Sequence, residues 1–306
     1  MVSLKTRYNL LALLIIAALS VQSNYKCYSQ DMDSLLNSLS SESLNLTTAT
    51  FKSTRVINGH SVERMKAGQL DVRIHHRFGN VNQGGYDLFG LDQSTIFLGL
   101  EYGITDRLMA GIGRSSYEKT YSGFLKYGWL RQSNGFKNMP VTVTLLSGLD
   151  AYTIKWTETD RKNYDWNRFS YVFQVLVARK FSDKFSFQLS PTLIHRNLVP
   201  EAINPNDIYS LGFGGRYKLS NRISFNAEYY YAIRPKVPGT DKLPNSLSLG
   251  FDIETGGHVF QLFFTNSNLM YERGFITNTT GKWQNGDIRF GFNISRVFTL
   301  VDHCKK

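Results

Sequence analysis

From about Leu70 onward the chain is written in segments that alternate apolar and polar residues with a period of two, the pattern of strands with one wet and one dry face. The clearest sets Ile223, Phe225, Ala227, Tyr229 and Tyr231 against Ser224, Asn226 and Glu228. About twelve such runs begin near Leu70, Ser94, Arg107, Thr120, Val141, Phe169, Lys184, Ile208, Arg222, Ser246, His258 and Asp287. Most have roughly 10 residues, the length a tilted strand needs to cross a bilayer. Past residue 30 no apolar run reaches 18 residues, so a mature chain in a membrane would be there as strands.

Alternation alone also fits a secreted β-sandwich, which would bury its apolar faces and wet the others. The connections favour a barrel. Thr105-Asp106-Arg107, Ser182-Asp183-Lys184, Ser220-Asn221-Arg222 and Gly256-Gly257 are tight, whereas 156–168, 195–207, 234–245 and 269–286 are long and polar. Short turns at one end and long loops at the other are the asymmetry of an up-and-down membrane barrel. Parity agrees, because a one-residue slip inverts a strand's faces. Lys180 with Ser186, Lys218 with Ser224 and Gly103 with Met109 require odd turns, while Asp252 with Gln261 requires an even one and finds Gly-Gly. The expectation is an all-β, transmembrane, antiparallel up-and-down β-barrel of about 12 strands. Residues 133–139 are longer than a tight turn, and the connection after Gly113 is short for an outer loop.

Ahead of the strands, Lys5 and Arg7 precede ten apolar residues, Leu10 to Leu19, and a cleavage site falls near Ser29-Gln30-Asp31. Residues 1–30 read as a secretory signal peptide, too short for a spanning helix, which directs the chain to the bacterial outer membrane. Cleavage there removes Cys27 and leaves Cys304 alone, so no internal disulfide is expected. It also removes Lys5, Arg7 and Lys26 and no acid, taking the formal charge from +11 to +8. With no clustered Lys/Arg block, this basic balance points away from nucleic acid and toward lipopolysaccharide and anionic solutes.

The apolar faces carry Leu, Ile, Val and Phe, with Tyr102, Tyr127, Trp129, Tyr217 and Tyr229 near strand ends like the aromatic girdles of barrels. The opposite faces then line the lumen with Arg73, His75, Arg77, Glu101, Lys126, Arg216, Glu228 and Arg289, joined by Asp150, Gln174, Lys180, Lys218, Asn226 and Asp252. Such charges either line a solute path or satisfy one another inside a filled wall, since twelve strands fall between the filled small barrel and the open porin.

Residues 31–66 do not alternate. Met32, Leu35, Leu36 and Leu39 have helical spacing, a Ser/Asn/Thr-rich stretch follows, and Asn58-Gly59 sits between β-like runs as a hairpin signal. An isolated hairpin is marginal in water. It should rest on the inner wall as a plug, with Arg55, His60 and Glu63 as partners for a charged lumen, or on the periplasmic rim; the alternative is a flexible periplasmic lead-in. The barrel proper is 67–306.

Signs of catalysis are few. Gly111-Ile112-Gly113 lacks the third glycine of a dinucleotide loop, and His75 and His76, being adjacent on a strand, point to opposite faces. No metal or cofactor motif occurs. Asp160, Asp165, His195, Glu201 and Asp207 occupy outer loops, where they read first as solvated loop charge and second as candidates for a barrel-borne hydrolase.

The block Phe51-Lys-Ser-Thr-Arg-Val-Ile-Asn-Gly-His-Ser-Val-Glu63, then Gly68-Gln-Leu-Asp-Val-Arg-Ile-His-His-Arg-Phe-Gly79, resembles the opening of a family of uncharacterised membrane-bound β-barrel proteins of Gram-negative outer membranes. Leu98-Gly-Leu-Glu-Tyr-Gly-Ile-Thr-Asp-Arg-Leu108 and Gly123-Phe-Leu-Lys-Tyr127 resemble it too, and the likeness runs from about 51 to the C-terminus. The resemblance implies location and fold, with no catalytic residues to carry over. A barrel ending on an aromatic residue would end here at Phe298, with the tail after it in the periplasm. The functional expectation is a narrow pore or solute-binding channel whose basic lumen favours small anions. The alternatives are the loop-borne enzyme and a sealed structural or docking barrel; oligomeric state is not legible.

Overall fold

The computed structural model describes residues 45–135, 138–156, 162–199, 203–234 and 243–301. The leader, the segment with helical spacing at 32–39, Asp160, Glu201 and the tail after Val301 lie outside the described residues. Twelve strands form one closed barrel. They are β1 (Gln69–Asn80), β2 (Ser94–Gly103), β3 (Leu108–Ser115), β4 (Tyr121–Leu130), β5 (Thr142–Ala151), β6 (Phe169–Lys180), β7 (Phe185–Arg196), β8 (Asp207–Lys218), β9 (Ile223–Ile233), β10 (Ser246–Thr255), β11 (His258–Thr265) and β12 (Arg289–Thr299).

Each strand pairs antiparallel with its neighbours in sequence, and β1 closes on β12 with Leu70 opposite Phe298 and Ile74 opposite Ile294. Every strand begins within two residues of the position expected from alternation. The parity pairs are all present: Lys180 opposite Ser186, Lys218 opposite Ser224, Gly103 opposite Met109 and Asp252 opposite Gln261. The four short turns, the 131–141 connection and the chain's entry and exit share one end, here the turn end; the remaining connections share the other, the loop end. Residues 133–139 fold back on themselves through a Ser133–Met139 bridge, and Ser133–Asn134 pairs with Asn45–Leu46.

The outward face is a band of exposed apolar side chains, including Leu98, Leu100, Ile112, Leu125, Phe173, Leu189, Phe251 and Leu262, with Tyr127, Trp129 and Tyr217 toward the turn end. The inward face is mixed, which corrects the simple partition of wet inside and greasy outside. Val172, Leu176, Ile194, Ile208, Tyr230 and Phe263 point inward and are buried. They are needed there because the barrel is filled by two segments that bring apolar side chains of their own.

The first filling segment is the hairpin of residues 50–63, which enters from the turn end and packs Phe51, Val56 and Val62 against Leu176 and Ala178. The second is the connection between β11 and β12, entering from the loop end. Sequence placed 269–286 outside as a polar loop; instead Leu269, Met270 and helix α1 (Glu272–Thr277) are buried. Leu269, Tyr271, Phe275 and Ile276 form an apolar cluster with Val172, Ile194, Ile208, Tyr230 and Ala232 of the wall. Leu269, Met270, Phe275 and Ile276 within this long connection were the available sign that it does not stay in water.

Candidate functional site

The hairpin turns one residue earlier than its Asn58-Gly59 signal suggested. The Val56 amide donates to the Gly59 carbonyl at 2.9 Å, leaving Ile57 and Asn58 at the tip. The reason lies in β9. The Glu228 carboxylate accepts three consecutive tip amides, those of Ile57 (3.2 Å), Asn58 (3.1 Å) and Gly59 (2.9 Å). Oriented amides of this kind solvate a buried anion much as a helix N-terminus does. Gly59 does not adopt a left-handed backbone. It is glycine because a Cβ there would lie 2.0 Å from the Tyr230 hydroxyl.

Most of the wall joins in. The Gln188 amide group accepts from Val62 N–H (2.9 Å) and donates to the His60 carbonyl (2.8 Å). Gln261 donates to the Val56 carbonyl and Asn293 to that of Ile57, each at 2.9 Å. Arg77 donates to Asn58 Oδ1 (2.7 Å), and Asn58 donates to Ser248 (2.8 Å). Lys126 Nζ donates to the carbonyls of Glu63 (2.7 Å) and Thr54 (3.1 Å). Thr54 donates to Glu101 Oε2 at 2.5 Å and accepts from Arg73 at 2.6 Å, while Arg73 also pairs with Asp71 at 3.1 Å. Arg216 donates to the Ala49 carbonyl at 3.2 Å. Thus Arg73, Arg77, Glu101, Lys126, Arg216 and Glu228 all converge on the hairpin. His75 is buried against Phe97 instead, and Arg289, only part-buried, donates to the Phe78 carbonyl at 3.2 Å near the loop end.

Sequence reasoning missed two features of this site. Asp71 faces inward, so the buried charged residues of the strands are five cations (Arg73, Arg77, Lys126, Arg196, Arg216) against five carboxylates (Asp71, Glu101, Asp150, Glu228, Asp252). The buried charge of the wall is therefore balanced, where a basic lining was expected. The other is Glu272 of α1, whose Oε1 lies 2.8 Å from Arg55 Nη1 and 3.5 Å from His60 Nε2. Burial, with Arg55, Lys126, Arg73 and His75 around it, drives the His60 imidazole well below its ordinary range, so that it is neutral at pH 7. Burial raises the Glu272 carboxyl, and Arg55 pulls it back.

Glu118 holds the inserted loop from the side. It sits in the short connection after β3 with a left-handed backbone (φ 52°), accepting from Arg273 at 2.8 Å and Tyr271 at 3.0 Å. Of the loop residues considered for hydrolysis, His195 Nδ1 lies 2.6 Å from Asp207 Oδ1, but both sit on the outward side of the wall, away from the lumen. Asp165 lies in a separate 3₁₀ turn, and among the described residues no three His, Cys, Asp or Glu side chains gather in a metal-binding group.

A closed twelve-stranded barrel with an apolar outer band and a charged, hairpin-filled interior is the architecture of a membrane-bound β-barrel. The chain belongs to the family described as a membrane bound beta barrel domain (DUF5777), whose model matches residues 51–298 and so includes the hairpin. A search of curated proteins finds no match. Among solved structures it is similar to the NanC porin (10% identity, 76% of this chain and 100% of that one, TM-score 0.46). It is also similar to the KdgM porin (9%, 75% and 99%, TM-score 0.44) and to Omp33 of Acinetobacter baumannii (8%, 75% and 98%, TM-score 0.40).

Proposed function

We propose that this protein is an outer-membrane channel for small anionic solutes that the hairpin of residues 50–63 holds shut. The observation that carries the reading is where the wall's polar groups find partners. In a sealed structural barrel, inward side chains satisfy one another. Here Glu228, Gln188, Lys126, Arg77 and Asn293 spend hydrogen bonds on the hairpin, much of them on its backbone. Each such bond is one that water can replace at little net cost once the hairpin leaves. What remains is a hydrophilic passage lined by Arg73, His75, Arg77, Glu101, Lys126, Arg216, Glu228 and Arg289 together with Asp71, Asp150 and Asp252, with lipid and lipopolysaccharide outside.

Planar-bilayer recording tests this. Intact protein should be nearly silent, and a variant lacking 50–63 should conduct, with a reversal potential under a salt gradient that favours anions. If the deletion variant inserts as a folded barrel and still passes no current, the channel reading is lost. Cation preference would remove its anionic part.

A further inference from the structure

The positive charge of this chain is not spread evenly over the barrel. Among the described residues, and leaving out buried side chains, the turn end carries eleven cations against four acids and the loop end eight against six. At the turn end Arg107, Arg131, Arg179, Lys184, Arg222 and Arg296 are all exposed. Two ion pairs form there, Lys180 with Asp183 at 3.4 Å and Lys52 with Glu254, and none of the six joins one among the described residues. In a barrel with its short turns in the periplasm, lipopolysaccharide meets the loop end, where the excess is small.

Two observations point to the partner. The first is what lies next to these cations. Arg179, near the end of β6, faces outward with its guanidinium 5.2 Å from the Phe181 ring centroid, and Arg296 faces outward on β12, 4.8 Å from that of Phe298. Both rings are exposed, as are Trp129, Phe185 and Tyr217 near the same end. Aromatic rings toward the hydrocarbon with cations beyond them suit the headgroup region of a bilayer. The second is distribution round the rim: Arg107 precedes β3, Arg131 follows β4, Arg179 and Lys184 flank the turn between β6 and β7, Arg222 precedes β9 and Arg296 is on β12. A soluble protein would cover one side of such a ring, whereas an annulus of lipid meets all of it.

We infer that the turn-end rim is a binding surface for the anionic phospholipid headgroups of the leaflet in which it stands. Arg and Lys donate to phosphate oxygens. The pull of a negative surface on each cation acts within a Debye length, so it favours anionic over zwitterionic lipid at the rim. This goes beyond the channel reading and does not depend on it, since lipid binds outside the wall whether or not the lumen conducts.

Trp129 supplies the test. It is 56% exposed and adjoins Arg107, whose carbonyl accepts from the Gly128 amide at 2.7 Å. With Trp156, Trp166 and Trp283 replaced by Phe, Trp129 alone fluoresces. The folded barrel is reconstituted in vesicles of equal parts phosphatidylglycerol and phosphatidylcholine, one or the other brominated on its chains. The anionic lipid should be favoured about fivefold in quenching at low salt, the factor that one cation near a charged surface supplies. That preference should collapse in about 1 M salt and in the double variant Arg107→Gln/Arg131→Gln. If the single-tryptophan background fails to run as a folded barrel on unheated gels, electron spin resonance with spin-labelled forms of the same two lipids replaces quenching, in the parent and in the double variant. Equal association of the two lipids overturns the inference and leaves the exposed cations to a soluble acidic partner. A preference undiminished by salt or by the double variant overturns it as well.

Discussion

Arg55 Nη1 and Glu272 Oε1 stand 2.8 Å apart although 217 positions separate them in the chain. They belong to the two segments that fill the barrel from opposite ends, and both are buried. This ion pair is where the turn-end hairpin and the loop-end helix hold each other.

Removing one member of that pair should loosen both segments. A buried charge left without its partner costs about 3–5 kcal/mol. Arg55→Leu and Glu272→Leu are each expected to speed hydrogen exchange at 51–63 and at 269–277. The double variant should lose less than the sum of the two singles. Independent, additive effects would mean that the two segments are not coupled.

Glu228→Ala should unseat the hairpin tip, since it orphans three buried amides at about 1–3 kcal/mol each. The barrel itself, held by its strand ladders, should keep its gel mobility shift, while limited proteolysis near 57–59 becomes fast. Glu228→Gln, which retains one acceptor oxygen, should fall between. A protease pattern identical to the parent's in Glu228→Ala would deny the carboxylate this anchoring role.

Gly59→Ala should destabilise through collision with Tyr230, by about 1–3 kcal/mol as overpacking does. Tyr230→Ala in the same chain should recover part of that loss. Thermal unfolding followed by heat-modifiable mobility reads both; equal melting of parent and Gly59→Ala contradicts the close approach.

Acid should favour release of the hairpin through His60. Its folded pKa is depressed, so its contribution to seating is present above the ordinary value of about 6.5 and is lost as pH falls below it. Glu272, raised by burial, has the opposite sign: it takes up a proton while seated and resists release on acidification. His60→Gln isolates the two. Relative to this variant, the parent should lose hairpin protection as pH drops from 7 toward 5, measured by hydrogen exchange at 51–63. A constant difference across that range removes His60 from the balance.

Leu98→Arg places a charge midway along β2 on the outward face, where the leucine is 56% exposed. In a bilayer this should cost about 2–4 kcal/mol. Denaturant unfolding in lipid vesicles measures it, and a near-zero effect there would argue that Leu98 does not face hydrocarbon.

The wall was legible in the sequence because a strand's period is short and its faces are chemically distinct: the alternation of 223–231 and the odd and even turns are local facts. The same period placed Arg73, Lys126, Glu228 and their neighbours on the inner face. What occupies the interior was far less legible. Whether Arg73 lines open water or holds Thr54 depends on contacts between residues distant in sequence, which alternation does not encode. The turn at Ile57-Asn58 likewise depends on Glu228, 171 positions from Ile57.

Residues 64–68, the link between hairpin and first strand, reach about 17 Å even when fully stretched. They pass so close to β2 that a Cβ on Gly103 would lie 2.0 Å from the Lys66 carbonyl oxygen. An ejected stopper on so short a leash stays at its own doorway, at a local concentration in the millimolar range or above. Reclosure is then a first-order event, indifferent to dilution and to how many copies share the membrane.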